Sequence, residues 1–162
     1  MKKLILLTLP IITLCTSFMS PHIHEPNVQL TVSYAGSWSD TYYGSYDSYH
    51  ASIINRGSDT VYFINATCSY VEAFTTDSKK AGVLNRHNCY KNGILCYSIA
   101  PGGSHEYNID VRPLPGIDDS TTFRIGFIWV EPVVGFYSFE SFHEQIQSRF
   151  HNVIWSERLK LR

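Results

Sequence analysis

The sequence predicts an all-β protein, a two-sheet antiparallel sandwich with one short helix late in the chain. Short runs rich in Val, Ile, Tyr and Phe recur along the sequence, and clusters of Gly, Pro, Ser and Asp separate them. Helical spacing of apolar residues occurs only after Glu131. The 162 residues, with eleven Tyr, nine Phe and three Trp, suffice for one domain with a sizeable core, which we place at residues 28–162.

Residues 1–20 predict export, because they have the organisation of a signal peptide. Met1–Lys3 is a short positive region, and Leu4–Leu14 is an apolar run too short to anchor stably in a bilayer. Cys15 and Ser17 supply the small-x-small pattern that signal peptidase requires for cleavage after Ser17. We therefore expect a protein of the periplasm, the cell surface or the secreted fraction.

A lipid anchor is the alternative outcome of the same export signal. The tetrapeptide Ile12–Cys15 resembles a bacterial lipobox, although Leu14 is larger than the small residue that usually precedes the cysteine. Lipidation of Cys15 would hold the protein at a membrane, and no other membrane contact is expected. Residues 21–27, PHIHEPN, are predicted to form a flexible lead-in to the folded domain.

The first strand is predicted at Val28–Tyr34, where apolar and polar residues alternate with a period of two. The stretch 35–48 then interleaves aromatic residues with Gly, Ser and Asp. These aromatic rings suit an exposed platform that stacks on sugar rings, with Asp40 or Asp47 accepting hydrogen bonds from sugar hydroxyls. The alternative is plain packing in a loop or a half-buried strand. The candidate ligand-binding residues are Trp38, Tyr42, Tyr43 and Tyr46.

Two β-rich runs, Tyr49–Asn55 and Val61–Tyr70, flank the turn-forming cluster Arg56–Asp59. We expect them to pair directly as the central strands of the domain. In the second run, the alternation predicts a strand that starts buried on both sides and ends with one side in water.

The rest of the chain predicts shorter elements joined by loops. Strands are predicted at Gly82–Leu84, Ile94–Ile99, Glu106–Val111, Thr121–Val130 and Val153–Leu161. Glu72–Tyr90 is predicted to be a long surface connection, and the Pro-rich segment Arg112–Ser120 a loop that cannot lie inside a sheet. A helix is predicted over Phe142–Phe150, with Ser141 and Glu144 as its capping box.

Three cysteines remain after removal of the signal segment, and an oxidising compartment permits one disulfide among them. We prefer Cys68–Cys89, which ties a central strand to the following connection, and the alternative is Cys89–Cys96. A structural metal site needs closely spaced Cys and His ligands. His87-Asn88-Cys89 is the nearest approach to that spacing, and His22-x-His24 lies in the lead-in, where a solvated tether is the preferred interpretation, so no metal site is predicted.

Two turns give the chain a resemblance to a known family. Asn55–Val61 matches the pattern N-x-G-x-x-x-V, Ile99–Ser104 matches I-x-P-G-x-S, and Ile154–Ser156 fits the last strand. In these features, the chain from Val28 to Leu161 resembles exported bacterial immunoglobulin-like domains and is similar to the intracellular-proteinase-inhibitor type. The resemblance implies an immunoglobulin-like sandwich and carries no catalytic residues. The tyrosine-rich stretch and the late helix depart from it.

The sequence favours a non-enzymatic function. It contains no Gly-x-Ser-x-Gly elbow, His-Glu-x-x-His helix, phosphate loop or dinucleotide turn, so we expect no catalytic residues and no cofactor. With a formal net charge of -1 and no basic stripe, nucleic acid is not an expected partner.

The expected function is that of a cell-envelope domain that binds a protein or a glycan. One alternative is a protease inhibitor that acts through the loop Arg112–Ser120. A small hydrolase is the least favoured alternative, whether through a Cys96–His pair or through Glu140 and Glu144 as acid and base.

Overall fold

The computed structural model describes residues 27–86, 92–118, 121–132, 138–148 and 152–161. The signal peptide, the Cys15 lipidation site and the lead-in up to residue 26 lie outside the described residues. The strands are β1 (Val28–Asp40), β2 (Gly44–Asn55), β3 (Val61–Ala66), β4 (Phe74–Thr76), β5 (Ala81–Leu84), β6 (Ile94–Ile99), β7 (Ser104–Pro113), β8 (Thr122–Phe123), β9 (Ile125–Ile128), β10 (Val153–Trp155) and β11 (Leu159–Lys160). The helical segments are a 3-10 helix at Tyr70–Ala73 and the α-helix α1 at Phe139–Ser148.

Strand pairing gives four antiparallel sheets among the described residues. One sheet has the order β1-β2-β7-β5, a second has the order β10-β9-β4, and two ribbons pair β3 with β6 and β8 with β11. A further backbone bond from Ile64 N–H to Val130 O, 2.9 Å long, joins β3 to the residues after β9. The predicted all-β antiparallel class with one late α-helix is therefore confirmed at this level.

A single hairpin, β1–β2, extends well beyond its predicted strands. The predicted strand Val28–Tyr34 is present, but it continues to Asp40 because a β-bulge lies between Tyr34 and Gly36. Gly36 has a φ of +151°, a conformation that L side chains rarely adopt. The bulge absorbs one residue, so the ladder continues through a stretch whose alternation is broken in the sequence.

The predicted direct pairing of Tyr49–Asn55 with Val61–Tyr70 is wrong. β2 pairs with β1 and β7, whereas β3 pairs with β6, so the turn between them carries the chain from one sheet to another. Fully buried Asn55 fixes this crossing. Its Nδ2 donates to the carbonyls of Asp59 (2.7 Å) and Ile99 (2.9 Å), and its Oδ1 accepts the Gly57 N–H (2.9 Å).

The predicted burial along β3 is also wrong, because its exposed end comes first. Tyr62 is 54% exposed, whereas Asn65 and Ala66 are buried. The amide of Asn65 is satisfied internally, since its Nδ2 donates to the hydroxyl of Tyr107 (3.2 Å) and its Oδ1 accepts the Ala66 N–H (2.8 Å). Asn65, a polar residue in the alternating pattern of β3, therefore makes buried hydrogen bonds and does not lie on a solvated face.

Aromatic rings from several elements meet in the core. The Phe127 ring of β9 lies 5.0 Å from that of Phe74 and 5.5 Å from that of Phe63, while Trp129 lies 5.1 Å from Phe63. Phe74 belongs to the segment predicted as a surface connection, but it is buried. Its short strand β4 pairs with β9, which leaves β9 covered on both edges.

The predicted strand Thr121–Val130 is divided at Arg124. The Arg124 N–H donates to Asp77 Oδ1 (2.6 Å) and its Nε to Asp77 Oδ2 (2.9 Å), so the backbone leaves the ladder at this residue. Burial alone would raise the pKa of Asp77, but the hydrogen bonds and charge of Arg124 outweigh it and lower this pKa below its ordinary value. The predicted closing strand Val153–Leu161 is likewise split, into β10 and β11.

The predicted late helix is present, but it begins earlier than expected. α1 starts at Phe139, and the Ser141 N–H donates to the hydroxyl of Ser138 (3.1 Å), so Ser138 is the N-cap and not Ser141. Phe142 and Ile146 form its buried face, as their spacing predicts. Within the described residues, no helix has the length and apolar character needed to cross a membrane.

Candidate binding surface on the β1–β2 hairpin

The tip of the hairpin presents two aromatic side chains to solvent. Asp40 Oδ1 accepts the N–H groups of Tyr42 (2.9 Å) and Tyr43 (2.6 Å), which fixes the turn at residues 41–43. Tyr42 is 86% exposed and Trp38 is 58% exposed. The rings of Tyr42 and Tyr43 are in edge contact, with centroids 4.8 Å apart. The turn is therefore held by its own hydrogen bonds while its rings stay accessible.

Tyr46, the fourth predicted platform residue, is only 6% exposed and does not belong to the accessible surface. The Arg86 guanidinium lies over its ring at 4.4 Å, and Arg86 Nη1 donates to its hydroxyl (2.5 Å). Tyr43 is half-buried, and its hydroxyl lies 3.5 Å from the carbonyl oxygen of Arg86. Of the predicted platform, Trp38 and Tyr42 are exposed, Tyr43 contributes partly, and Tyr46 packs beneath Arg86.

Arg86 itself is held by Asp110 of β7. Its Nε and Nη2 both lie 2.7 Å from Asp110 Oδ2, and Ser48 donates to the other oxygen of the same carboxylate. Burial by itself lowers the pKa of Arg86, but the hydrogen bond and charge of Asp110 raise it above its ordinary value. The guanidinium stays charged, and Asp110 fixes its position over the Tyr46 ring beside the hairpin tip.

The two carboxylates predicted to accept hydrogen bonds from sugar hydroxyls both accept hydrogen bonds from groups of the protein itself. Asp40 holds the turn, and Asp47 is buried on the opposite face of the hairpin, where it accepts the Ser37 hydroxyl at 2.5 Å. Tyr34 extends this series of hydrogen bonds, since its hydroxyl lies 2.6 Å from the Ser37 hydroxyl. Hydrogen bonds to a ligand at the tip would therefore come from other residues.

Polar side chains cover the face of the β1-β2-β7 sheet that points away from the core, which we call the outer face. Cross-strand partners share a face, and ten of the residues that the register places on this one matter for the site. They are Thr31, Ser33, Trp38, Tyr46, Ser48, His50, Ser52, Glu106, Asn108 and Asp110. Part of this face lines a groove of about 900 Å³, together with Tyr70 and Tyr97 beside the edge of β7. The outer face could have been found from the sequence, because polar residues occupy every second position over most of β2 and β7. Such alternation by itself indicates only a strand face in contact with solvent, and not a groove.

Three aromatic groups close one side of this groove. The His105 ring lies 4.7 Å from that of Tyr97 and 4.8 Å from that of Tyr107. Burial lowers the pKa of His105, against the opposing charge of Glu106, and burial raises the pKa values of Tyr97 and Tyr107. These groups stay neutral near pH 7, so they act as packing surface with polar edges.

The described residues contain no metal-binding cluster, and the residues considered for a hydrolase lie on two different elements, Cys96 on β6 and the two glutamates on α1. No group of three or more His, Cys, Asp or Glu side chains in the part of the chain that the structure describes is able to hold a metal ion. Glu140 and Glu144 are exposed on α1. Cys96 is a free, exposed thiol, so the alternative Cys89–Cys96 bridge is not formed. Cys89 lies outside the described residues, and Cys68–Cys89 stays a prediction.

The Pro-rich segment is anchored near its start. β7 reaches Pro113, and the Leu114 N–H donates to the carbonyl of Lys80 (2.9 Å). An exposed ion pair joins Lys80 Nζ to Asp118 (3.0 Å), and Asp118 also exchanges hydrogen bonds with Thr121. Residues 119–120 lie outside the described part of the chain. The predicted loop therefore starts two residues later than expected, after Pro113.

Comparison with known proteins leaves the chain without an assigned family. No protein-family model matches the sequence, and a search of the curated proteins finds no match. Function is therefore argued from the geometry of the hairpin and its outer face.

Proposed function

We propose that this protein is a non-enzymatic cell-envelope domain with an immunoglobulin-like sandwich fold, and that the tip of its β1–β2 hairpin binds a glycan. Export is supported by the signal-peptide pattern of residues 1–20, and Cys15 offers a lipid anchor in the same segment. The family resemblance described above supports the fold but names no ligand. The ligand is therefore inferred from the exposed surface.

The order of the four-stranded sheet supports the sandwich. In constant-type immunoglobulin domains, the first, second, fourth and fifth strands form one sheet in the order A-B-E-D. The order β1-β2-β7-β5 has the same pattern, with β5 preceding β7 in the chain. The order β4-β9-β10 has the pattern of the other immunoglobulin sheet, C-F-G, because β4 precedes β5 and both β9 and β10 follow β7. The ribbon of β3 and β6 departs from that scheme.

The exposure of Trp38 near the end of β1 and of Tyr42 in the adjoining turn is the observation that carries the glycan proposal. Water-exposed Trp and Tyr rings offer flat apolar surface with a polar edge. The hydrogen bonds of Asp40 hold the turn before any ligand arrives, which reduces the ordering cost of binding. The apolar faces of sugar rings match such surfaces, and their hydroxyls match the neighbouring polar side chains.

Affinity electrophoresis tests this proposal. The protein is run through gels containing a β-glucan, a xylan, a mannan or chitin, and we expect retardation by at least one of them. Replacement of Trp38 or Tyr42 by Ala should weaken binding by ~30-fold, the equivalent of ~2 kcal/mol for a central aromatic contact. Tyr62→Ala is the matched control, since Tyr62 is similarly exposed but lies on β3. Equal retardation of all variants would contradict the proposed site.

A protease-inhibitor function is the second candidate, because anchoring of the Pro-rich segment by Lys80 and Asp118 would present part of it as a restrained loop. It predicts slow, saturable inhibition of a serine protease and loss of that inhibition on Ile117→Ala, which changes a residue of the loop after Pro113. A panel of purified proteases that are all unaffected by the full chain would remove this candidate.

A further inference from the structure

We infer that the glycan site continues from Trp38 along the outer face of the β1-β2-β7 sheet, and that its ligand is a linear, neutral saccharide chain and not a single terminal sugar. This inference rests on the proposed glycan-binding function. It adds a second contact region, centred on His50 and Asn108, that receives the sugar units beyond the one stacked on the hairpin tip.

The β-bulge is the first step of the argument, because it places Trp38 on the outer face. Before the bulge, Ser33 pairs with His50, and after it Trp38 pairs with Tyr46. On β2, Tyr46 and His50 are four residues apart and therefore point to the same side. Without the extra residue at the bulge, Trp38 would share the core face with Tyr34.

The second step is the hydrogen-bonding character of the His50–Asn108 pair. His50 Nδ1 lies 2.6 Å from Asn108 Oδ1, and both side chains are exposed. If Nδ1 carries the proton, the pair leaves His50 Nε2 as an acceptor and the Asn108 NH₂ as a donor. If the amide is turned around, His50 Nε2 becomes the donor and Asn108 Oδ1 the acceptor. Either arrangement leaves one donor and one acceptor side by side, which is what adjacent sugar hydroxyls require.

The third step concerns charge. The described residues lining the groove include hydroxyl groups from Thr31, Ser33 and Ser52, but no Lys or Arg, and Glu106 is the one carboxylate among them. Nearer the tip, the positive charge of Arg86 is paired with the carboxylate of Asp110 through two contacts. A groove without free positive charge does not favour phosphate or carboxylate groups, and one rich in hydroxyls favours a neutral ligand.

The fourth step is length. Four residues of strand separate Tyr46, the partner of Trp38, from His50, a span of ~14 Å at ~3.4 Å per residue. A single sugar ring stacked on Trp38 does not reach the His50–Asn108 pair across that distance. Tyr70 fixes the far wall of the groove, since its hydroxyl donates to the Asn108 carbonyl at 3.1 Å. The two contact regions are thus used together only by an extended chain.

The test is a length series measured by isothermal titration calorimetry. The probes are linear oligosaccharides of one to six units, prepared from whichever of the four polysaccharides retards the protein in the gels. We expect affinity to rise at least tenfold from the disaccharide to the hexasaccharide. The double variant His50→Ala/Asn108→Ala should bind both with the disaccharide's affinity, whereas the control Gln147→Ala, exposed on α1, should retain the rise.

The outcomes separate this inference from the proposed function. If Trp38→Ala abolishes binding but the wild type binds the disaccharide and hexasaccharide equally, the extended site is wrong and the tip remains the binding site. The same conclusion follows if the double variant binds the hexasaccharide like the wild type. Retardation by none of the four polysaccharides would overturn both proposals. Circular dichroism of the double variant checks that it is folded.

Discussion

Gly126 occupies a position in β9 where even one additional methyl group should destabilise the fold. It pairs with Thr75 of β4 on one side and Trp155 of β10 on the other. A Cβ atom at this position would lie 2.4 Å from Val153 Cγ1 and 2.7 Å from two atoms of the Trp155 ring. Ordinary carbon–carbon contacts lie at ~3.5–4.0 Å, so both side chains would have to move by about 1 Å.

The expected cost of Gly126→Ala follows from how firmly these neighbours are held. The Arg124 guanidinium covers the Trp155 ring at 4.9 Å, and Asp77 holds Arg124 in turn. Overpacking in a well-packed core typically costs ~1–3 kcal/mol, and we expect ~2 kcal/mol or more here. For a urea m-value of ~1.5 kcal/mol/M, the unfolding midpoint should fall by ~1.3 M.

Urea unfolding followed by tryptophan fluorescence measures this change. Gly93→Ala is the matched control, because a Cβ atom there meets nothing within 4 Å, and we expect its midpoint to stay close to the wild type. Val153→Ala added to Gly126→Ala should cost less than the sum of the two single changes, since it removes the closest clashing atom. Equal midpoints for the Gly126 and Gly93 variants would refute the packing argument.

Three further predictions concern a buried amide, a carboxylate and the thiols. Asn55→Ala should lower the free energy of unfolding by ~3 kcal/mol in urea titrations, because it leaves two carbonyls and one N–H unsatisfied at a buried turn. Asp77 has a lowered pKa in the folded state, so its stabilising effect is present above the ordinary carboxylate pKa of ~4 and is lost as pH falls through the lower folded value. The midpoint difference between wild type and Asp77→Asn should therefore shrink from pH 7 to pH 2, and a constant difference would exclude this linkage. Alkylation of the unreduced folded domain should label Cys96 alone, whereas labelling of Cys68 and Cys89 as well would rule out the predicted bridge.

Much of the local structure could be predicted because it follows from alternation. β5, β6 and β7 lie close to their predicted positions. β7 alternates between apolar and polar residues, and the Pro101–Gly103 turn separates it from β6. α1 was predicted from the helical spacing of Phe142 and Ile146. Its start was placed three residues late, because Ser141 has the Glu of a capping box three residues later, whereas Ser138, the cap in the structure, does not.

Strand partners could not be predicted from the same pattern. The turn after Asn55 looks like a hairpin turn, because Gly and Asp supply turn conformations in either case. The chain crosses to another sheet here because the Asn55 side chain donates hydrogen bonds to two carbonyl groups. One of these carbonyls belongs to Ile99, which is far away in the sequence. Long-range hydrogen bonds of this kind leave no periodic signal.

The candidate site was predicted only in part, and the bulge explains why. Trp38 and Tyr42 were identified by residue type, but the face on which Trp38 lies depends on a single unpaired residue before it. The burial of Tyr46 depends on Arg86, which approaches from a different part of the chain. His50 and Asn108 are adjacent only because β2 and β7 pair, so no local pattern relates them.

The order of the four-stranded sheet also determines when its parts can form. β1 and β2 need only the turn at residues 41–43 to meet, so their pairing carries a small loop-closure cost. The other neighbour of β2 is β7, and Asp47 meets its partner Val111 only after most of the chain has been made. A nascent chain therefore carries a hairpin with an open edge and an uncovered apolar face, which is an aggregation hazard during synthesis. This hairpin is the segment that a chaperone would have to shield until β7 emerges.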